Sequence, residues 1–480
     1  MAQGVVQAAG VPPPPPARKL RRAVSHMAGT SWELPKSEQV EPMRVRPGRR
    51  KVPPMWPLYA LSFLRALALG MAGLPALSLR VYELAVTAGG DAATAMLVLG
   101  VISSMRHVAE FFAGQLLNSW SEDVGRRPML LISSTAFVGE ASCMACASSP
   151  WLAGAAHVAG GLLFSGGTVE SCCIDDHIKD EEDSSLAHGR LFAGAGIALA
   201  LGQALGGSVA QKFGGAAPFA CAHALGVLAI TGVASVVPEY MPSRYLGRRR
   251  SRRVSWELPD QHEALVDRPL LHALCTASPT LRWSCLALAL NGLGMSSFAV
   301  VSVMWMQVAL HWDSHVIGLF VGLGGGLQLV AQAALMPLLL QATGRPESTA
   351  KMCLAANALK FIGFVSAQDE RWMFTMLVAA TPGFCGTPAL VDLCTSQLPK
   401  GKREPWDRAI SMLNTVASAL GALAGSIMMA WSLWGSWSVG TPLFFSAACY
   451  FLAGACVAQA ERCRPVRRAA LRWAVSGRQR

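Results

Sequence analysis

The chain has 480 residues, of which 52% are hydrophobic and only 15% charged, with a mean hydropathy of +0.37 and a formal net charge of +12. A soluble chain carries roughly 25% charged residues, so a soluble globular fold is excluded. The 46 glycines, common within the apolar stretches, suit membrane helices that pack closely.

Residues 1–55 read as a disordered tail, VPPPPPARKLRR followed by a mixed charged stretch without an apolar face. It holds no apolar core of a cleaved signal. Pro13 to Arg18 fits PxxPxR, a weak SH3-ligand pattern, although a solvated tail is the plainer reading.

A spanning helix needs roughly 20 apolar residues. Twelve stretches qualify: 56–79, 93–117, 128–148, 151–174, 189–212, 216–237, 283–306, 316–340, 350–366, 371–392, 409–433 and 440–459, the ninth being short. They are runs of Gly, Ala and Leu without strict alternation, which favours helices over barrel strands. A basic linker, 239–282, divides them six and six, giving bundles at 56–238 and 283–460 with a basic tail at 461–480.

Of 41 lysines and arginines, 35 fall on the side of the two termini, three on the other (Arg80, Lys212, Arg371) and three inside spans (Arg65, Arg106, Lys360). That asymmetry predicts cytoplasmic termini. The net positive charge then reflects topology and anionic lipid, with no call for nucleic acid.

The two halves repeat. Gly125-Arg126 recurs as Gly344-Arg345, Thr168 as Thr387, and GQALGG (Gly202 to Gly207) as GALAGS (Gly421 to Ser426), each 219 residues later. Parallel repeats of six helices form a transporter architecture with its site between the halves. The 13 cysteines lie mostly inside spans, so no disulfide framework is expected. Cys143 and Cys146 read as small packing residues of the third helix rather than as a redox or metal pair.

Between the second and third spans runs Asn118-Ser-Trp-Ser-Glu122-Asp123-Val-Gly125-Arg126-Arg127-Pro128. It resembles the helix 2–3 loop motif of the major facilitator superfamily, Gly-x-x-x-Asp-Arg-x-Gly-Arg-Arg/Lys. Asn118 replaces the leading glycine and Asp123 stands where a base is usual. IDDHIKDEEDSSLAHGR after the fourth span is similar to the family's Asp…Arg stretch. ALALGQALGG, with Gly202, Gln203, Gly206 and Gly207, resembles its helix-five antiporter motif with glutamine for proline. VVPEY closes the sixth span in the family's manner. The arginine expected early in the fourth helix is missing, and His157-Val-Ala-Gly-Gly161 keeps only the spacing. The resemblance is closest to the drug:proton antiporter and tetracycline-resistance-like branch. It implies an all-α membrane protein of twelve transmembrane helices in two pseudo-symmetric bundles, working by alternating access on a small solute with protons as the coupling ion, as a monomer.

The same resemblance assigns Glu122, Asp123, Gly125, Arg126 and Arg127 to a gating motif, with Glu122 facing helix eleven. The residues themselves allow a turn permitted by Gly125, a third helix started by Pro128, and arginines anchoring the loop. Asp175, Asp176 and Arg190 after helix four, with Lys400, Lys402, Arg403 and Arg408 at the equivalent place in the other half, are expected to close the cytoplasmic mouth.

Charge within spans is costly and marks function. Arg65 lies about 14 Å into the first span at about 1.5 Å per residue. Arg106, His107 and Glu110 share one face of the second, and Glu170 lies in the fourth. These are expected to form a proton-coupling or anion-binding group or, equally, a structural ion pair. Glu140 reads as peripheral and structural. The second half is polar instead, with Asn291, Gln307, Gln328, Gln332 and Asp392, so an asymmetric site is expected.

Ser255, in RRVS, fits a basophilic kinase site, although a solvated basic loop is the plainer reading. No metal, cofactor or nucleotide motif occurs, and catalysis is not expected. The alternatives are a transporter-like receptor signalling through its tails, or a multipass enzyme using His107, His157 or His223.

Overall fold

The computed structural model describes residues 55–164, 167–178, 181–237, 278–367, 369–398, 403–435 and 437–463. Every predicted span is helical. The first is α1 (Trp56–Met71) and α2 (Leu74–Thr87), the second α3 (Ala92–Val124) and the third α4 (Arg126–Cys146). The fourth is α5 (Pro150–Leu162) and α6 (Thr168–His177), the fifth α7 (Glu181–Phe213) and the sixth α8 (Ala217–Ser235). In the second half α9 (Pro279–Ala309) is followed by α10 (Ser314–Val330), which runs through a π turn (Ala331–Leu335) into α11 (Met336–Thr343). The ninth span is α12 (Pro346–Val365), and the tenth is α13 (Glu370–Ala379), a 3-10 turn (Thr381–Cys385) and α14 (Gly386–Ser396). The eleventh is α15 (Arg403–Leu433) and the twelfth α16 (Thr441–Cys463).

Among the described residues, nine helices are long and apolar enough to cross a membrane, and the tenth span joins them if its two parts, bent by 47°, count as one. The fourth span is split into two short helices, and the ninth carries Glu347, Lys351 and Lys360. Large apolar side chains face outward, among them Phe112 at 60% exposed, Leu359 at 62% and Phe451 at 51%. Lipid, not water, is the solvent that tolerates such a surface. Trp151, Phe213, Trp372, Trp431, Trp434 and Trp437 add an exposed aromatic belt at one end of the spans. The chain is an integral multi-pass membrane protein.

Helices begin where short polar residues take the orphaned amides of the first turn. Asp91 accepts from Thr94 N at 2.8 Å, Asp313 from Val316 N at 2.9 Å and Asp369 from Trp372 N at 2.8 Å. The turn between α3 and α4 depends on Gly125 at φ 115°. Here α4 starts at Arg126, two residues before Pro128, so the glycine and not the proline sets the helix start. Its repeat partner Gly344 also has positive φ, 62°.

The repeated glycines make equivalent contacts. A Cβ on Gly202 would lie 2.3 Å from Leu67 O, and one on Gly206 2.6 Å from Met71 O, so α7 lies directly on α1. Their partners Gly421 and Gly425 press α15 onto Leu293 and Ser297 of α9 in the same way. Gly207 faces Ser314 and Gly318 of α10, in the other half, while its partner Ser426 faces Gly100 of α3. The symmetry continues at the breaks in the fourth and tenth spans, which precede Thr168 and Thr387.

Among the described residues the halves are joined at the Asp91 end. At the end bearing Asp91, buried residues of the first and second spans (Ala76, Leu77, Val81, Met96, Leu99) belong to one core with residues of the second half. At the end bearing Gly125, the first half has a separate core of Leu58, Leu61, Leu117, Met129, Ile174 and their neighbours. Hydrogen bonds between halves follow the same division. Trp434 Nε1 donates to Asp91 Oδ2 at 3.0 Å, Ser314 N to Gln211 Oε1 at 3.2 Å, and Ser104 Oγ to Ala419 O at 2.7 Å. Among the described residues no hydrogen bond joins the halves between the Ser104 level and the Gly125 end.

Cys143 and Cys146 are exposed free thiols. They line the outer surface of α4 rather than a helix contact, a correction to their reading as packing residues. Small side chains suit a lipid-facing surface as well as an interface, so spacing did not separate the two.

Candidate functional site

Arg106 of α3 organises the first-half site. Its Nε donates to Glu110 Oε1 at 2.6 Å, one turn further along. Its Nη1 donates to Glu140 Oε1 of α4 and to His157 O of α5 at 2.9 Å. His157 Nδ1 lies 2.7 Å from Glu140 Oε1, closing the group. A planar guanidinium with five donors in a fixed fork suits such a set better than a point-charge ammonium. Gly160 and Gly161 make room for it. A Cβ at Gly160 would fall 2.0 Å from Glu140 Oε2, and one at Gly161 3.2 Å from Arg106 Cγ.

Two expectations are corrected here. Glu140 is not peripheral, because α4 turns this residue toward α5 and its side chain is only 9% exposed. The His157-x-x-Gly-Gly161 spacing is the seat of the group rather than a remnant. Glu110, at 32%, is its most accessible carboxylate.

Arg65 forms a second group with Glu170 of α6 and Ser133 Oγ of α4, the latter at 3.3 Å. Phe164, in the break between α5 and α6, lies between the two arginines, its ring centre 6.0 Å from Arg65 Cζ and 5.8 Å from Arg106 Cζ. Each guanidinium faces the ring's negative quadrupole. The expected single coupling group is thus two groups separated by an aromatic ring. Glu170 and Arg65 line neither cavity below, being enclosed by α1, α4 and α6.

Two adjoining cavities lie between the halves. The first, about 460 Å³, is lined by Arg106, His107, Glu110, Glu140 and His157 from one half and Asn291, Asn414 and Ser418 from the other. The second, about 740 Å³, carries Gln328, Gln332, Asp392 and Lys360, with Gln203 of α7 reaching in from the first half. Asn291 and Thr387 belong to both walls, and Asn291 Nδ2 donates to Thr387 Oγ1 at 2.9 Å. Gln307 lines neither cavity, because it lies on α9 near the Asp91 end where the halves are closed.

The second half is not free of charge, another correction. Lys360 of α12 is 6% exposed, and its Nζ donates to Asn357 Oδ1 at 3.0 Å. Asn357 Nδ2 in turn donates to Gly383 O at 2.8 Å, in the 3-10 break of the tenth span. The ammonium lies 4.6 Å from the ring centre of Phe361, 4.9 Å from Phe384 and 6.0 Å from Phe298. Such ring contacts are worth about 0.5–2 kcal/mol each, against a desolvation cost of several kcal/mol for a buried ion. Its presence inside a span was the available signal.

The gating residues sit as follows. Arg126 is buried and its Nε donates to Asp176 Oδ2 of α6 at 2.9 Å, so it ties the starts and ends of neighbouring helices rather than only anchoring a loop. Arg127 donates to Val233 O at 3.2 Å and to Ala234 O, capping the last carbonyls of α8. Asp175 faces Ser184 and His188 at 3.4 and 3.6 Å. Asp176 thus bonds to Arg126 of its own half, and Asp175 has Ser184 and His188 beside it. Arg190 is exposed. The side chains of Glu122, Asp123, Arg403 and Arg408, and all of Lys400, Lys402 and Ser255, lie outside the described residues, as do the tail 1–54 and most of the linker.

The model of the Major Facilitator Superfamily matches residues 58–426. The tetracycline resistance protein, class C, of Escherichia coli is 22% identical over 360 residues, covering 72% of this chain and 84% of its own. The hippocampus abundant transcript 1 protein of Homo sapiens is 23% identical over 279 residues, 58% of this chain and 54% of its own, so this chain spans about half of that relative. Of solved structures, the human organic anion transporter MFSD10 (TETRAN) matches with TM-score 0.58 and 18% identity, over 84% of this chain and 100% of that one. The nucleoside transporter NupG matches with TM-score 0.58 and 15% identity, over 84% and 98%. These structural likenesses show the fold.

Proposed function

The chain belongs to the Major Facilitator Superfamily, a family of transporters, and from that premise we propose that it moves a small organic solute by alternating access in exchange for protons. One observation carries the reading: two adjoining cavities lie between the halves, the first holding Arg106, Glu110 and Glu140 and the second Lys360 and Asp392 among neutral polar and apolar groups. Relatives whose names specify tetracycline resistance and organic anion transport agree with an organic cargo.

Glu110 is the proton carrier in this reading. It reaches the first cavity, and Arg106 holds it with the same guanidinium that holds Glu140. Protonation of Glu110 loosens one tie and leaves Arg106 committed to α4 and α5, so the charge state of the cavity changes without dismantling the bundle. The Arg65–Glu170 pair serves as a brace. Asn291, Gln328, Gln332 and Asp392 supply hydrogen bonds to cargo.

The basic residues support cytoplasmic termini, which makes the Gly125 end cytoplasmic and the present arrangement inward-facing. Residues 56–238 and 283–460 then act as the two moving bodies, joined by 239–282, in a monomer. Ser255 in that linker is a phosphorylation site and Pro13 to Arg18 a minor SH3 contact in this reading. Glu122 and Lys400, Lys402, Arg403 and Arg408 close the cytoplasmic mouth.

Flux of tetracycline, organic anions and nucleosides into proteoliposomes, with and without a pH gradient, tests the proposal. Gradient-driven flux should vanish in Glu110→Gln while solute exchange continues. Unchanged gradient-driven flux in that variant would remove Glu110 from the mechanism, and absence of any flux in wild type would remove transport of these classes.

A further inference from the structure

We propose that Lys360 is the anchor for a negatively charged group on the cargo, and that the second cavity is built for an organic carboxylate with an apolar ring body. The inference rests on the reading of this cavity as the cargo site. An ammonium has three donors, and Lys360 gives one to an oxygen, that of Asn357. Among the described residues no carboxylate lies within ion-pair distance of it. Asp392 shares the cavity, yet it is exposed and makes no ion pair with Lys360. By contrast Arg65, Arg106 and Arg126 each meet a carboxylate of this chain.

The surroundings describe the remainder of the ligand. Phe298, Phe361 and Phe384 face the ammonium, and Phe320 and Phe364 continue the apolar wall of a space of about 740 Å³. A cavity of that size holds a drug-sized molecule. The ammonium sits at the wall by the break of the tenth span, held there by Asn357 bonded to Gly383 O. A carboxylate entering beside it fills the empty donors and offsets the desolvation of the ion, while a ring lies on the phenylalanines. A neutral amide of the same shape fills the space without pairing the charge.

The test measures equilibrium binding to the full chain in detergent, using matched acids and amides: 1-naphthoate with 1-naphthamide, indole-3-acetate with indole-3-acetamide, and cyclohexanecarboxylate with its amide. Wild type should bind at least one acid about tenfold more tightly than its amide, as a charge-assisted bond of ordinary strength requires. Lys360→Gln should reduce that preference to about twofold or less, and Lys360→Arg should keep part of it. No acid preference in wild type overturns the proposal, a result that requires no variant to fold. A preference that persists in Lys360→Gln overturns it equally. Binding and flux separate the two readings: acid preference without flux removes transport and keeps the anchor, and flux without acid preference does the reverse.

Discussion

Arg106 meets Glu110, Glu140 and His157 from a single guanidinium, and the cost of disturbing it depends on which partner is lost. Removing one member of a buried pair leaves the other uncompensated, typically costing about 3–5 kcal/mol. Arg106→Ala should therefore lower thermal stability by that order, since Glu140 and its surroundings stay buried. Arg106→Lys should recover only part of the loss, because a point charge cannot replace the planar fork. Glu110→Gln should change the melting temperature little, its carboxylate being the most accessible of the set. Thermal unfolding of the three variants checks the order, and an unstable Glu110→Gln would make that residue structural. Gly160→Ala tests the same seat, for its Cβ would displace the Glu140 carboxylate and should cost about 1–3 kcal/mol as overpacking does.

Between α2 and α3, Asp91 does two things for its helix. One carboxylate oxygen caps α3 through Thr94, and the other accepts from Trp434 at the end of α15. Thr94's hydroxyl and amide, then the Trp434 indole, hold its carboxyl below the ordinary 3.8. A lowered acid stabilises the contact above its ordinary value, and the stabilisation is lost as pH falls through the lowered one. Mild acidity, well above 3.8, should accordingly leave this joint intact. Asp91→Ala should modestly lower stability and widen the distance between spin labels at Val86 and Trp437, whereas a pH titration of wild type in the mild range should not. A widening in wild type within that range would place the sensitivity elsewhere.

At the scale of the whole molecule, the two halves meet through small residues at the Asp91 end. A Cβ on Gly207 would lie 2.4 Å from Ser314 O, and one on Gly100 2.4 Å from Ser426 Cβ. Backbone cannot swing aside as a long side chain can, so Gly207→Val should oppose closure at this end and favour the alternative arrangement of the halves. Labels at Val124 and Val391 should approach one another in that variant while those at Val86 and Trp437 separate. A shift of a few kcal/mol suffices to exchange the populations. Unchanged distances in folded Gly207→Val would mean that the glycine contact does not set the balance.

Twelve apolar stretches, the positive turn at Gly125 and the repeat at offset 219 were legible in the chain because lipid imposes length and composition on any span, and because glycine is needed wherever helices nearly touch. Gly202, Gly206 and Gly207 each proved to face a neighbouring backbone. Candidate charges were legible as residues but not as partners. Spacing joined Arg106 to Glu110, one turn apart on a single helix, whereas Arg65 found Glu170 105 positions away, a separation that no periodicity encodes. Glu140 and Lys360 were misplaced or passed over for the same reason. Whether a charged side chain in an apolar span faces lipid, a neighbouring helix or the central cavity is fixed by the rotation of that helix against its neighbours, and packing between distant segments alone decides that rotation.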